Sequence, residues 1–237
     1  MLNSTILIKV KQRLNKLDSN DYQNIQPWQI VEAFNKAQVD WCRRNLHGLN
    51  LVKEGDEQSV KRVDDLQVLL TSSPLSISDR KTYYESILIP DNYLQWKRIS
   101  VKATSECCKE PRPMVVYLAE QANVEELLKD HNKKPSFDWA ETFATFMGNK
   151  IQIYTNGEFE LNTPQLMYYK QPTKIQIAGV KDPYQSSTAP IPSTDVISDF
   201  KDDLVEVMID ECVKILAGDI ESQFQFQREG QVVENNN

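Results

Sequence analysis

The chain has 237 residues, of which 40% are hydrophobic and 26% charged, with a net charge of −7. That length suits one large domain or one domain with a substantial insertion. The acidic balance argues against a general nucleic-acid-binding surface. Seven glycines, with neither GxGxxG nor GxxxxGK[ST], argue against a glycine-rich phosphate loop.

The opening MLNSTILIKVKQRLNKL is an apolar run broken by Lys9 and Lys11, so it is read as neither a signal peptide nor a membrane span. Its spacing predicts a short amphipathic helix over 5–17, with Leu7, Val10, Leu14 and Leu17 on one side. After the polar turn LDSNDYQN, Pro27 suits a first helical position and opens PWQIVEAFNKAQVDWCRRN. Trp28, Ile30, Val31, Phe34, Ala37 and Trp41 give this second helix its apolar face, and Arg43 and Arg44 suit its C-terminal end. The pair predicts an αα-hairpin.

Residues 48–58 form a predicted loop, and the run from Val60 to Leu70 gives a mixed signal. KTYYESILIP, DNYLQWKRISVKA and PMVVYLA are rich in strand formers. Asn123 and Glu126 resemble a capping box opening the short helix NVEELLKDH. FDWAETFATFMGN predicts a helical turn ended by Gly148. KIQIYT, GEFELN and LMYYKQPTKIQIAG predict further strands, with Asn156-Gly157 as a hairpin turn. DPYQSSTAPIPST is a proline-serine loop over 182–194.

Residues 195–226 predict a long helix. Asp195, Asp199, Asp202, Glu206 and Asp210 fall on one stripe at about 100° per residue, read as its solvated edge. Phe200, Leu204, Val207, Met208 and Ile215 make an apolar seam that faces the core. Val205, Ile209, Cys212 and Leu216 make a second seam, for another helix of the chain or a neighbouring subunit. The fold class expected is α+β: an N-terminal helical hairpin, a β-rich middle and a long C-terminal amphipathic helix packing as a bundle. The expected organisation is one domain over 1–230, helical over 1–47 and 195–226. It carries a β-rich insertion over about 80–180, the extended loop 182–194 and a polar tail over 227–237.

Chemistry-bearing constellations are thin. Cys42, Cys107, Cys108 and Cys212 form no CxxC pair and read as structural thiols of a reducing compartment, so the protein is expected to be made in the cytoplasm. His47 and His131 read as surface or loop residues, and neither HExxH nor GxSxG occurs. The acidic stripe is a conceivable divalent-ion site, but hydrated carboxylates explain it better. The basic clusters in LQWKRISVKA and DHNKKPS read as solvated faces. No catalytic, cofactor-binding or metal-binding residue is assigned, and no enzymatic activity or cofactor is expected.

The order of segments is suggestive as a whole: helical N-terminus, ILIPDNYLQWKRISVKA, KIQIYTNGEFELNTPQLMYYKQPTKIQI, proline-rich loop, long C-terminal helix and polar tail. It resembles the head–tail connector, or adaptor ring, proteins of short-tailed double-stranded DNA phages, and most of all the ring proteins of crAss-like phages. The resemblance implies a virion protein at the head–tail junction, in roughly twelve copies below the portal. Portal and other ring or tail proteins would be its partners, with DNA sliding through the lumen without specific binding and no membrane involved. It makes Val205, Ile209, Cys212 and Leu216 a subunit or helix-packing interface. Asp182, Pro183, Tyr184, Pro190 and Pro192 become a partner-binding loop. The alternative is a cytoplasmic non-enzymatic adaptor, or another phage tail or capsid accessory protein.

Overall fold

A computed structural model of the protein describes residues 1–15, 25–47, 64–181, 183 and 191–219. Two compact units emerge, Leu70–Gln171 and the combination of Met1–Leu69 with Pro172–Asn237.

The first unit is helical. α1 (Asn3–Asn15), α2 (Pro27–His47) and α4 (Asp202–Asp219) are its helices. A one-turn helical stretch and a 3-10 turn, Gln67–Leu69, follow α2 in the chain. α1 and α2 each pack mainly on α4, and only marginally on one another. Ile6, Val10 and Leu14 of α1 are buried, as are Ile30, Phe34, Ala37, Trp41 and Cys42 of α2. The Trp41 and Phe200 rings meet edge to face, centroids 5.5 Å apart.

The contact between α1 and α4 is ionic at its margin. Lys9 pairs with Glu206, Arg13 pairs with both Glu206 and Asp210, and the Met1 amino group pairs with Asp202. Arg13 Nη2 lies 2.8 Å from Glu206 Oε2, and Arg13 Nη1 also donates to the Glu206 carbonyl at 3.3 Å. Burial pushes the Asp210 carboxyl above its usual range, and the Arg13 guanidinium pulls it back. On α2, Arg44 pairs with Glu211.

The second unit is a mixed nine-stranded sheet. In chain order its strands are β1 (Leu70–Pro74), β2 (Ile77–Asp79), β3 (Tyr83–Ser86), β4 (Tyr93–Thr104), β5 (Arg112–Leu118), β6 (Glu141–Met147), β7 (Lys150–Tyr154), β8 (Glu160–Leu161) and β9 (Gln165–Lys170). The spatial order is β1-β9-β4-β5-β6-β7-β3-β2, with β8 pairing on β4. All pairings are antiparallel except β5–β6, which is parallel. The chain between them carries the short helix α3 (Val124–Lys129), as a parallel crossover requires.

One link sets the shape of the sheet. Eight neighbouring strands laid flat would hold their edges about 34 Å apart, at about 4.8 Å per strand. Yet the edge strands β1 and β2 are joined only by Leu75 and Ser76. The steps from Pro74 to Ile77 reach at most about 11 Å. The sheet must therefore curl until its edges nearly meet. Leu75 turns into the enclosed core with Ile99, Val101, Met114, Ile151, Ile153 and Leu166. On the other face, α3 covers Phe143 and Tyr154, whose rings stack 4.8 Å apart.

The expected layout is thereby corrected. The frame of the chain is a curled mixed sheet, and the expected helical hairpin with its bundle-packing terminal helix is not what forms. α1 carries the basic partners of the α4 stripe, so it docks there and not on α2. The terminal helix begins at Asp202, because 195–201 is held by other bonds. Val196 bridges Gln176, Asp195 accepts the Ala178 N–H at 2.8 Å, and Asp199 accepts from Thr173 N and Oγ1. The predicted helical turn in FDWAETFATFMGN is instead β6, rich in threonine and phenylalanine. The turn at Asn156-Gly157 forms, both residues having positive φ. It does not join a hairpin, since β8 leaves β7 to pair with β4. At α3, Asn123 sits at the cap position without a side-chain cap bond.

Glu206 serves two cations at once, so Glu206→Ala should destabilise the helical unit by about 1–2 kcal/mol. Urea denaturation followed on a helix probe checks this, and an unchanged midpoint would mean that the apolar seam alone holds α1.

Candidate functional site

The four residues of the second seam are all inside the helical unit. Val205, Ile209 and Cys212 have no exposure at all, and Leu216 is buried. Cys212 Sγ approaches the Ile30 carbonyl of α2 at 3.8 Å. Another helix of the same chain fills this seam, so these side chains are not left for a neighbouring subunit. Phe200, Leu204 and Met208 are also buried, with Val207 and Ile215 half-buried at the margin. The carboxylate stripe is a solvated edge only in part: Asp195 and Asp202 are exposed while Asp199, Glu206 and Asp210 are half-buried, and each of the five accepts a hydrogen bond or ion pair within the unit.

Of the expected partner loop, Asp182, Tyr184 and Pro190 lie outside the described residues. Pro183 is exposed. Pro192 is half-buried and lines a groove of about 600 Å³ along the outer side of α2. Trp28, Val31, Val39, Ile177 and Val180 supply its apolar surface, and charges of both signs, Glu32, Asp40, Lys36, Arg43 and Lys174, line it as well.

Amide side chains build this groove. Asn35 accepts the Ile175 N–H at 2.8 Å and donates to the Ile175 carbonyl at 3.2 Å, as a neighbouring strand would. Gln38, buried on the same helix, donates to the Asn35 amide oxygen and accepts from Ser198 Oγ at 2.7 Å. Asn3, also buried, donates to the carbonyls of Gln176 and Val196. At the groove's end Gly179, with φ +78°, donates to the Pro192 carbonyl at 2.9 Å. Sequence reasoning missed Asn3, Asn35 and Gln38. Their only signal was position, since each lies on or next to the apolar side of its helix.

The sheet unit has a cleft of about 720 Å³ between the turns at 79–84, 104–109 and 155–160. Asp79, Glu106, Glu158 and Glu160 outnumber Lys81 and Lys109 in its walls. Desolvation, then the Asp79 charge, push the Tyr84 hydroxyl above its usual range. Cys107 lines the cleft, but no histidine does, so the thiol has no adjacent imidazole base there. Among the described residues no group of three or more metal-binding side chains gathers, and no helix is long and apolar enough to cross a membrane.

Large apolar side chains stand in the open on the sheet unit. Trp139 is 81% exposed in the turn before β6. Its N–H donates to Ser136 Oγ at 3.4 Å, and Arg112 secures the turn by donating to the Phe137 and Asp138 carbonyls.

No protein-family model and no curated protein matches the chain.

Two expectations follow. Ile209→Asp would bury an unpaired charge and should cost about 4 kcal/mol or more. It should unfold the helical unit, as circular dichroism would show, whereas a folded variant would place Ile209 at an accessible surface. The thiols separate in the same way: burial pushes Cys42 up to about 12 and Cys212 higher still, while Cys107 and Cys108 are exposed. A thiol reagent at neutral pH should modify Cys107 and Cys108 in the native protein, and Cys42 and Cys212 only after denaturation.

Proposed function

We propose that the protein is a non-enzymatic structural component of a phage virion. In this reading it is a head–tail connector subunit that closes into a ring of roughly twelve copies around the DNA channel, with portal and tail proteins as neighbours. The order of segments along the chain supports it, and one structural observation carries it. Among the described residues, an aromatic side chain, Trp139, stands in the open on the sheet unit, and a partly apolar groove runs beside α2 in the helical unit.

A ring is made by a heterologous contact, in which one surface of a subunit meets a different surface of the next. Trp139, 81% exposed on a turn anchored by Arg112, is a rigid aromatic knob of the kind that dominates interface energetics. The groove beside α2, about 600 Å³ and lined by Trp28, Val39 and Ile177, is a suitable receptor. Because the knob and the groove are unlike, their contact can repeat from copy to copy around a ring, and native mass separates that from a reciprocal dimer with each knob in the other copy's groove. Seating Trp139 of one copy in the groove of the next removes both exposed apolar surfaces at once. The seam of Val205, Ile209, Cys212 and Leu216 then stabilises the subunit on which the groove is built.

Light scattering at several concentrations, with and without portal, tests the reading. A large oligomer of fixed mass is expected, alone or on portal. Trp139→Asp should reduce it to the 27.4 kDa monomer without changing the circular dichroism spectrum. A wild-type monomer indifferent to portal would contradict the ring and favour an adaptor whose groove takes a peptide.

A further inference from the structure

The charges of the sheet are segregated in a way the composition hides. β1, β9, β4 and β5 are neighbours, and their sequences LTSSP, QLMYYK, YLQWKRISVKAT and RPMVVYL contain no aspartate or glutamate. They carry five cations, Lys97, Arg98, Lys102, Arg112 and Lys170, in a chain whose net charge is −7. The pleat sorts them. Ile99, Val101 and Ala103 of β4 turn into the core, so Arg98, Ser100 and Lys102 point outward. A register shift between Trp96 and Arg98 exposes Lys97 as well, and its ammonium lies over the Tyr169 ring, 5.9 Å from the centroid. None of Lys97, Arg98 and Lys102 pairs with a carboxylate among the described residues. The carboxylate at the start of β6, Glu141, accepts from the Tyr117 hydroxyl at 3.3 Å.

We propose that this outward face of β9, β4 and β5 docks the phosphate backbone of duplex DNA. Arg98 and Lys102 are about 13 Å apart along the strand, a span over which a duplex presents several phosphates at about one charge per 1.7 Å. Three exposed cations on one rigid strand, none paired with a carboxylate among the described residues, meet that charge and release its counterions, with Glu160 of β8, opposite Thr104, bounding the face beyond Lys102. Ser100, Val115 and exposed Tyr117 between and beside them add no repelling charge. No base-reading geometry is involved, so the contact is independent of sequence. The more acidic remainder of the chain repels DNA and confines the contact to this face. The ring reading is not required, since native mass reports on the one and DNA affinity on the other.

Fluorescence anisotropy of a labelled mixed-sequence duplex, titrated with the full chain across a salt series, is the test. Wild-type protein should bind at low salt with affinity that falls as salt rises. Combined Lys97→Gln, Arg98→Gln and Lys102→Gln should weaken binding by about tenfold or more and flatten the salt slope by about one unit per cation removed. A control with Lys109→Gln, Lys129→Gln and Lys133→Gln removes equal charge elsewhere and should bind like wild type. The inference is overturned by wild-type protein that does not bind at low salt, by unchanged affinity in the β4 variant, or by equal loss in the control. A β4 variant that alters native mass while leaving DNA affinity intact would overturn it too, making the face a contact for an acidic protein surface.

Discussion

The three carboxylates on one side of α4 meet the amino terminus, lysine and arginine of α1, and that ionic margin decides what the helical unit has left to offer. An exposed ion pair contributes little, but Glu206 and Asp210 are partly buried and share one guanidinium, so removing a partner strands a charge. With this margin closed by α1 and both apolar seams of α4 buried, the terminal helix is spent on its own subunit. Among the described residues, the groove beside α2 lies open in the helical unit, and the Trp139 turn, the cations of β4 and apolar side chains such as Ile87 and Leu88 stand exposed in the sheet unit.

The sheet is governed by a different constraint. A two-residue link between its edge strands forces it to curl, and the curl separates an enclosed core from an outward face. That separation makes the alternation in WKRISVKAT meaningful, because every second residue is committed to the core and those between are committed to solvent. Lys97, Arg98 and Lys102 of β4 therefore stand together outside the core. An acidic protein can thus carry a local positive surface, and its net charge describes the long-range field better than it describes any one face.

Much of the local structure was legible in the sequence. The periodicity of PWQIVEAFNKAQVDWCRRN and the proline at its start give α2 over Pro27–His47, and the strand formers of β4 and β5 mark those strands. Partners were less legible. The wide apolar arc of the last helix does signal two neighbours, but periodicity cannot say whether a neighbour belongs to the same chain, and burial of Ile209 and Cys212 places it there. The carboxylate stripe looked like a hydrated edge because its counter-charges, Lys9 and Arg13, lie almost two hundred residues away. Asp195 and Asp199 share the helical spacing but end the preceding loop, where they accept from Ala178 and Thr173. FATFM was misread as helical because its periods are ambiguous over so few residues, while threonine and phenylalanine favour the strand it forms. The groove was invisible for a similar reason: amides such as Asn35 and Gln38 look solvent-facing until a distant backbone needs them.

The proposed seating of Trp139 of one subunit in the groove of the next is a contact that proximity tests directly. In a background carrying Cys107→Ser and Cys108→Ser, Trp139→Cys combined with Val39→Cys would place one thiol on the knob and one in the groove. Mild oxidation should then give a ladder of covalent multimers on a non-reducing gel, collapsing on reduction and absent from either single variant. Monomer alone, whether unlinked or closed within one chain, would contradict the contact and with it the ring.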